Sequence, residues 1–511
     1  MPVYNIVLFG NFSLRTTTLK KAFFRAFTRK NAGLVRQPTG LSSKSIIVYY
    51  SSMIFYRYGS GLLIALFLLI AGAPALLFSE EVPEDNSTLI LSEAAEYLAR
   101  RDFSSALELF NKLPPEEAEK TEILVMRALI LNSAGRPAEA KKTANLVIAK
   151  EPENTDALMV LADAASLEGK EKDRRAFLER VIRIAPNHAR ALNDLANINL
   201  GNQNLRTAAG YFDRVLAVEP DNGEAMIGRA SVYRYNKEPK KAEQLLNRAA
   251  KLYPEWARPL QERARLYKGA GFYDDALEDL DAAEKIEPYN YWVIVDRGLV
   301  LMDMNRRQEA LEEFNRAISI NSNVFIAFVY SAGLKDDMGD YAGAEQDYIK
   351  LTKLRPEYYF AFEGLGVIKM KNKQWTQARD AFLEAYKRAP KEYTYALLAA
   401  VNWMRSGRIT DPKQFLAQVL RTAPRDSLDY LMLKLFHDLS GDADVVIKVE
   451  SEQNIYTKAR MLFYLACYYD IRGNTTLANK YYTFAHELNA AALVEWRINE
   501  WIMSDRGLIV R

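Results

Sequence analysis

Cysteine and histidine are nearly absent from this chain of 511 residues. The single cysteine, Cys467, excludes an internal disulfide and a zinc site built from several thiolates. The three histidines, His188, His437 and His486, lie far apart and share no ligand spacing, so we expect no metal site and no cofactor. The sequence also lacks the G-x-S-x-G, P-loop and H-E-x-x-H motifs. We therefore expect that it is not an enzyme and has no small-molecule substrate.

Acidic residues are absent from residues 1–79, which carry nine basic ones. Because the net charge of the whole chain is +3, residues 80–511 carry a net charge of −6. A mildly acidic main part argues against a nucleic-acid partner. The basic leader instead suggests anionic lipid or a targeting signal.

Long apolar runs are also scarce, and the one at residues 61–78 contains 18 residues without a charge. A helix of that length spans about 27 Å, which is enough for the core of a bilayer. Basic residues precede the run and acidic residues follow it, so we expect residues 1–60 to be a basic cytoplasmic tail. We predict a signal-anchor transmembrane helix at 61–78, in a single-pass inner-membrane protein whose repeats lie in the periplasm.

The leader leaves two alternatives open. Translation could begin at Met53, and the apolar run would then be a cleaved signal peptide with small residues at Ala71-Gly72-Ala73. An acid-free leader that contains arginine, serine and threonine also resembles a mitochondrial transit peptide. That alternative would place the protein at a mitochondrial membrane.

The rest of the chain repeats with a period of about 34 residues. Eight of its 18 prolines share one register, in which Ser322 fills the only gap. Two further registers hold small residues, one from Ala128 to Ala400 and the other from Ala140 to Ala378, where Arg174 is the only exception. Small side chains allow two helices to approach closely, and proline marks the junction where a helix cannot continue. The prolines are Pro152, Pro186, Pro220, Pro254, Pro288, Pro356, Pro390 and Pro424.

A helix–turn–helix unit of about this length with this pattern resembles the tetratricopeptide repeat (TPR) family. The unit 359–392 carries the resemblance best, with Phe362, Leu365, Gly366, Ala378, Phe382 and Pro390. The resemblance implies an all-α fold, a TPR superhelical solenoid of helical hairpins. We predict a linker and partial first unit at 79–120, nine units at 121–426, a degenerate and a final unit at 427–490, and a capping helix with a tail at 491–511.

Arginine occupies one packing position of the repeat, where leucine is commoner in this family, at Arg229, Arg263 and Arg297. We expect salt bridges to nearby acids rather than ligand binding. The candidate acids are Glu278, Asp279, Glu312 and Glu313.

The family resemblance also implies a function. Such repeats bind partner proteins or peptides in a concave groove, so we expect a membrane-tethered interaction scaffold or assembly adaptor. The membrane would be bound through residues 61–78. The alternative is a receptor for targeting sequences on an organelle membrane, with the repeats facing the cytosol.

Positions 2, 5, 9, 12 and 13 of each repeat face the groove in this family. Carried over to this chain, they predict a groove with two halves. Arginine and asparagine in the polar half could hold a carboxylate or an acidic peptide. This set of residues only partly resembles the two-carboxylate clamp of the family, which also has lysine at the position of Asn193 and asparagine at the position of Gly228. The polar half consists of Arg190, Asn193, Asn197, Arg234, Arg258, Arg265 and Lys268.

The later repeats carry apolar side chains at the same positions. An apolar face in water would be an exposed patch, so we expect an apolar partner helix or the chain's own C-terminal segment to cover it. The alternative is a tight superhelix that buries these residues against one another. The apolar half consists of Trp292, Val295, Leu299, Met302, Phe360, Val367 and Met370.

Overall fold

The computed structural model describes residues 86–509, which form 26 helices and no strand. These residues fall into two compact units, the N-terminal unit up to residue 286 and the C-terminal unit from residue 287. None of the described helices is long and apolar enough to cross a membrane. The predicted tail at 1–60 and transmembrane helix at 61–78 lie outside the described residues.

The N-terminal unit is a series of helical hairpins. Successive helices pack against each other, and the first helices of neighbouring hairpins also touch. Its helices are α1 (Asn86–Ala99), α2 (Phe103–Phe110), α3 (Pro115–Ala118), α4 (Thr121–Ser133), α5 (Pro137–Lys150), α6 (Thr155–Leu167), α7 (Glu171–Ile184), α8 (Ala189–Gly201), α9 (Leu205–Val218), α10 (Gly223–Tyr235), α11 (Pro239–Leu252), α12 (Ala257–Ala270) and α13 (Tyr273–Ile286).

The C-terminal unit begins with the same hairpins and ends in a less regular bundle. Its helices are α14 (Tyr291–Asp303), α15 (Arg307–Ile320), α16 (Phe325–Asp337), α17 (Tyr341–Leu354), α18 (Tyr359–Lys371), α19 (Trp375–Arg388), α20 (Tyr393–Arg405), α21 (Pro412–Leu420), α22 (Leu428–Asp438), α23 (Asp442–Ser451), α24 (Ile455–Ile471), α25 (Thr475–Glu487) and α26 (Val494–Asp505).

The first helices of the regular hairpins begin one repeat period apart in both units. Side-chain capping fixes the start of some of these helices, because the side chain of Asn154 accepts a hydrogen bond of 2.9 Å from the backbone N–H of Ala157. Asn222 caps α10 in the same way. The first residues of these helices are Thr121, Thr155, Ala189, Gly223 and Ala257 in the N-terminal unit, and Tyr291, Phe325, Tyr359 and Tyr393 in the C-terminal unit.

The turn inside each hairpin needs one residue with a left-handed backbone. Gly169 supplies it between α6 and α7, with a φ of 71°. Lys237 adopts nearly the same conformation between α10 and α11, with a φ of 60°. The geometry of the repeat therefore persists even where its favoured glycine is missing.

The small residues of the repeat lie where the two helices of a hairpin meet. Ala128 and Ala140 are fully buried between α4 and α5. At Gly298 on α14, a Cβ atom would lie only 2.7 Å from the ring of Phe314 on α15. This contact explains why the register from Ala128 to Ala400 holds only alanine and glycine.

The arginines at the packing position form the salt bridges expected from the sequence. Arg263 lies 2.5 Å from Asp279 on the second helix of its own hairpin. Arg297 contacts Glu313 in the same way at 3.6 Å. Arg229 instead contacts Asp213, 2.7 Å away on the second helix of the preceding hairpin.

The regular pattern changes after α20. Helix α21 begins at Pro412, as expected where proline occupies the first helical turn, and it is only 9 residues long. The following pair, α22 and α23, is also short, and α24 then extends to 17 residues. This irregular end brings the last helix, α26, against helices that come much earlier in the C-terminal unit.

Candidate protein-binding surfaces

The residues predicted for the groove all lie on first helices, and we call the surface that they form in each unit its first-helix face. In the N-terminal unit this face lies on α8, α10 and α12. In the C-terminal unit the predicted residues lie on α14 and α18. The two faces are described separately below.

The N-terminal first-helix face is crossed by ion pairs between neighbouring repeats. A terminal nitrogen of Arg190 on α8 lies 2.7 and 2.8 Å from the two carboxylate oxygens of Asp163 on α6. Arg258 on α12 makes a similar ion pair with Glu224 on α10. Two arginines of the predicted polar half are thus already bound by carboxylates of this chain.

Burial raises the pKa of two carboxyl groups in this network. It raises the pKa of Asp163 to about 6, against the opposing attraction of Arg190. It also raises the pKa of Asp156, two turns earlier on α6, to about 6. Arg190 is therefore the cation that keeps two desolvated carboxylates charged at neutral pH.

Asn193 is a packing residue rather than an open hydrogen-bond donor. Its side-chain amide donates to Asn222 at 3.3 Å, and Asn222 is the residue that caps α10. Asn193 is only 8% exposed, and its own amide oxygen is buried without a partner. Asn197, one turn further along α8, is half-buried.

Basic side chains are most accessible at the α10–α12 end of this face. The side chain of Arg258 is 43% exposed despite its ion pair. Arg234 lies over the ring of Tyr235, 4.6 Å from its centroid. Arg265 donates to Glu262 at 2.6 Å, and Lys268 is half-buried. Of the polar half, this end is best placed to meet an acidic segment from outside.

The apolar residues of the C-terminal first-helix face differ in burial. On α14, Val295 is buried, while Trp292, Leu299 and Met302 are half-buried. On α18, Phe360 at the start of the helix is 47% exposed. Val367 and Met370, further along the same helix, are only 1% and 3% exposed. Another part of the chain therefore covers Val367 and Met370 in the later part of α18.

The covering element is the last helix of the chain. Ile498, Trp501 and Met503 of α26 belong to the same buried cluster as Val367 and Met370. Of the two covers that the sequence suggested for the apolar half, the structure has the C-terminal segment at this part of the face. An apolar partner is not needed there.

Buried polar contacts fix α26 in place. Glu495 is 2% exposed and accepts hydrogen bonds from Thr394 at 2.9 Å and from Tyr464 at 2.8 Å. Asn499 is fully buried and donates to the backbone oxygen of Tyr482 at 2.9 Å. Because leaving such groups unpaired is costly, α26 is an integral part of the unit and not a loosely bound lid.

The covering helix also forms one wall of a cavity of about 300 Å³. The cavity lies at the start of α18, where Phe360 remains exposed. Its walls come from α16, from α17, from α18 and the turn before it, and from α26. They include Tyr348, Tyr358, Phe360, Glu363, Val494 and Arg497.

Among residues 86–509, no cluster of three or more His, Cys, Asp or Glu side chains could hold a metal ion. Cys467 is fully buried on α24, and burial raises the pKa of its thiol to about 11. A thiol in that environment is a poor nucleophile at neutral pH.

Sequence comparisons identify the repeats. Two family models, each described as Tetratricopeptide repeat, match the chain, the first at residues 125–189, 193–255 and 334–393, and the second at residues 293–324. No curated protein matches the sequence.

Several solved structures resemble parts of the fold. A tetratricopeptide repeat protein from Parabacteroides merdae is 18% identical, with a TM-score of 0.42 over 48% of this chain and 97% of that one. Pseudomonas aeruginosa pilF is 20% identical, with a TM-score of 0.35 over 40% and 92%. YrrB, described as a TPR protein with an unusual peptide-binding site, is 20% identical, with a TM-score of 0.27 over 36% and 95%. At this level of similarity they carry no information about the partner of this chain.

Proposed function

We propose, from the premise that this chain is a tetratricopeptide repeat protein, that it is a membrane-tethered scaffold or assembly adaptor. It binds partner proteins or peptides on its first-helix faces, in the manner expected of stacked helical hairpins. It performs no chemistry on them. The repeats lie in the periplasm, and residues 61–78 hold the chain in the inner membrane.

The accessible basic end of the N-terminal first-helix face carries this proposal. Arg234, Arg258 and Lys268 lie on two adjacent first helices, where Arg258 is exposed and the other two are half-buried. Arginine and lysine so placed can bind the carboxylates of an extended segment through charge-assisted hydrogen bonds. The partner that fits is a peptide or loop with acidic side chains.

Site-specific photo-crosslinking in intact cells tests the proposal. A photoreactive side chain at Arg234, or at Asn197 on the same face, should give discrete crosslinked protein products. The matched control is Glu179, an exposed residue on the second helix α7. Equal crosslinking from all three positions, or none from the first-helix face, would contradict a binding role for this face.

The alternative function is a receptor for targeting sequences on an organelle membrane. The acid-free basic leader at residues 1–79 favours it, because such leaders also occur in mitochondrial targeting. The two functions differ in topology. A protease added outside an intact organelle cuts the repeats of a receptor that faces the cytosol, whereas periplasmic repeats are cut only after the outer membrane is opened.

A further inference from the structure

We propose that the cavity between α18 and α26 binds a lysine or arginine side chain of a partner peptide. This inference rests on the proposed function, because it assigns one anchor position of a bound protein segment. It concerns the C-terminal unit alone, so it can be tested separately from the binding role proposed for the basic end of the N-terminal first-helix face.

Aromatic rings form much of the cavity wall. Tyr358 and Phe360 lie side by side with their ring centroids 5.6 Å apart. The ring of Tyr348 lies directly against Gly364, where a Cβ atom would come within 2.4 Å of it. The absence of a side chain at Gly364 therefore leaves room for this ring. Aromatic faces attract cations, and the attraction strengthens when water is excluded.

A carboxylate without a basic partner lies in the same cavity. Glu363 accepts a hydrogen bond of 2.5 Å from the hydroxyl group of Tyr395 through one of its oxygens. Within residues 86–509, no lysine or arginine forms an ion pair with Glu363. Burial raises the pKa of its carboxyl group. A cation that entered the cavity would supply the missing partner and restore the charged form.

The other charged residue of the cavity wall, Arg497, already has an acidic partner and so does not favour an anionic ligand. Arg497 on α26 is already bound to Asp336, which also accepts a hydrogen bond from Tyr348 at 3.3 Å. The guanidinium of Arg497 also stacks over Trp501, 4.8 Å from the ring centroid. Because Arg497 is paired with Asp336, a basic ligand would meet the carboxyl group of Glu363, which has no basic partner of its own among residues 86–509. This balance favours a basic ligand over an acidic one.

The size and opening of the cavity fit a side chain that arrives from outside. A volume of about 300 Å³ accommodates one long side chain. Phe360 is exposed at the rim, and the half-buried Trp292 and Val329 lie on earlier first helices of the same unit. An apolar segment lying along these residues could therefore place one basic side chain in the cavity.

Selection from a phage-displayed library of random linear peptides tests the inference on the full chain in nanodiscs. Wild-type protein should enrich peptides with lysine or arginine at one fixed position beside apolar residues. Glu363→Gln should weaken binding of the selected peptide at least about tenfold, because the amide cannot balance a buried cation. Glu357→Gln, which removes an exposed acid just before α18, should leave binding unchanged.

Folding can be separated from binding. A glutamine at position 363 can still accept the hydrogen bond of Tyr395, so thermal melting of Glu363→Gln should match the wild type. Phe360→Ala at the exposed rim gives a second measurement and should also weaken the selected peptide.

The remaining outcomes overturn the inference. Selected peptides without a conserved basic residue, or with binding unchanged in Glu363→Gln, would show that the cavity is not a cation site. Enrichment of acidic residues, or no enrichment at all, would do the same. The proposed function fails separately, when crosslinking from Asn197 and Arg234 gives no partner.

Discussion

The two units place different chemistry on the same positions of their first helices. Asp163 and Arg190 pair with each other across neighbouring repeats on the N-terminal first-helix face. In the C-terminal unit, Val367 and Met370 occupy such positions and lie under α26. The repeat backbone therefore does not decide what a face can bind. The side chains on the first helices decide it, and an apolar face also requires another element that covers it.

The physical reason lies in the cost of contact with water. On the N-terminal first-helix face, carboxylates and arginines of neighbouring repeats compensate each other's charge, so these charges do not require a further element over them. Each large apolar side chain that moves from water into the core contributes about 1.5–3 kcal/mol. Ile498, Trp501 and Met503 of α26 gain this contribution by packing into a cluster that includes the apolar residues of the later part of α18.

We expect the largest effect on stability from removing α26, the helix that covers the later part of α18. A chain that ends after Ala491 lacks α26 and should lose more than about 5 kcal/mol of stability in the C-terminal unit, since at least three buried apolar side chains are lost. Thr394 and Tyr464 also lose their hydrogen-bond acceptor, Glu495. Hydrogen exchange followed by mass spectrometry should show faster exchange in α18 and α20.

The N-terminal unit provides the internal control for this truncation. Amides in α4 to α12 should exchange as they do in the full chain. Equal loss of protection in both units would mean that α26 acts on the whole molecule. Unchanged protection in α18 would mean that its apolar face does not depend on α26.

A smaller effect is expected from breaking an ion pair on the N-terminal first-helix face. Arg190→Ala should destabilise the N-terminal unit by about 3 kcal/mol at pH 7, because Asp163 and Asp156 remain desolvated without their cation. Arg234→Ala is the matched control on the same face. Its guanidinium lies on Tyr235 and forms no salt bridge among the described residues, so the cost should stay within about 0.5 kcal/mol.

The pH dependence of this variant distinguishes the electrostatic cause from lost packing. A carboxyl group whose pKa rises on folding binds its proton more tightly in the folded state. Its contribution to stability therefore improves as the pH falls through its folded pKa, here about 6 for Asp163. Urea unfolding should show that the cost of Arg190→Ala shrinks between pH 7 and pH 5. A constant cost would indicate that Arg190 acts only through packing.

The sequence predicts those parts of the structure that depend on local spacing. The repeat register marks the small contact positions, and arginine at the packing position indicates the salt bridges of Arg263 and Arg297. Both depend on residues within one hairpin. The local pattern therefore suffices to find them.

Contacts that depend on how hairpins stack are not visible in that pattern. The pair of Asp163 and Arg190 joins two repeats, so it depends on the rotation between them. The hydrogen bond from Thr394 to Glu495 spans 101 residues. The short helices α21 to α23 interrupt the repeat before α26 returns to the unit, and no repeat period describes them. The sequence could suggest a C-terminal cover but not its polar contacts.

The smallest effect should be the same in both units, because it tests the close packing of a first helix against a second helix, which both units have. At Gly228 in the N-terminal unit, an added Cβ atom would lie 2.1 Å from the ring of Phe212 on the second helix of the preceding hairpin. At Gly298 in the C-terminal unit, it would lie 2.7 Å from the ring of Phe314. We expect Gly228→Ala and Gly298→Ala each to cost about 1–3 kcal/mol in thermal or urea unfolding, since the rings must move in a packed core.

Gly333 on α16 is the matched control, because no atom lies within 4 Å of a Cβ added there. Gly333→Ala should be neutral or should stabilise the C-terminal unit by up to about 1 kcal/mol, since alanine favours a helix over glycine. If all three variants behaved alike, the close helix contact would not be what selects glycine in the repeat. If only one unit responded at its contact glycine, the two units would differ in how tightly their first and second helices pack, and the contrast between them would no longer be confined to the first-helix faces.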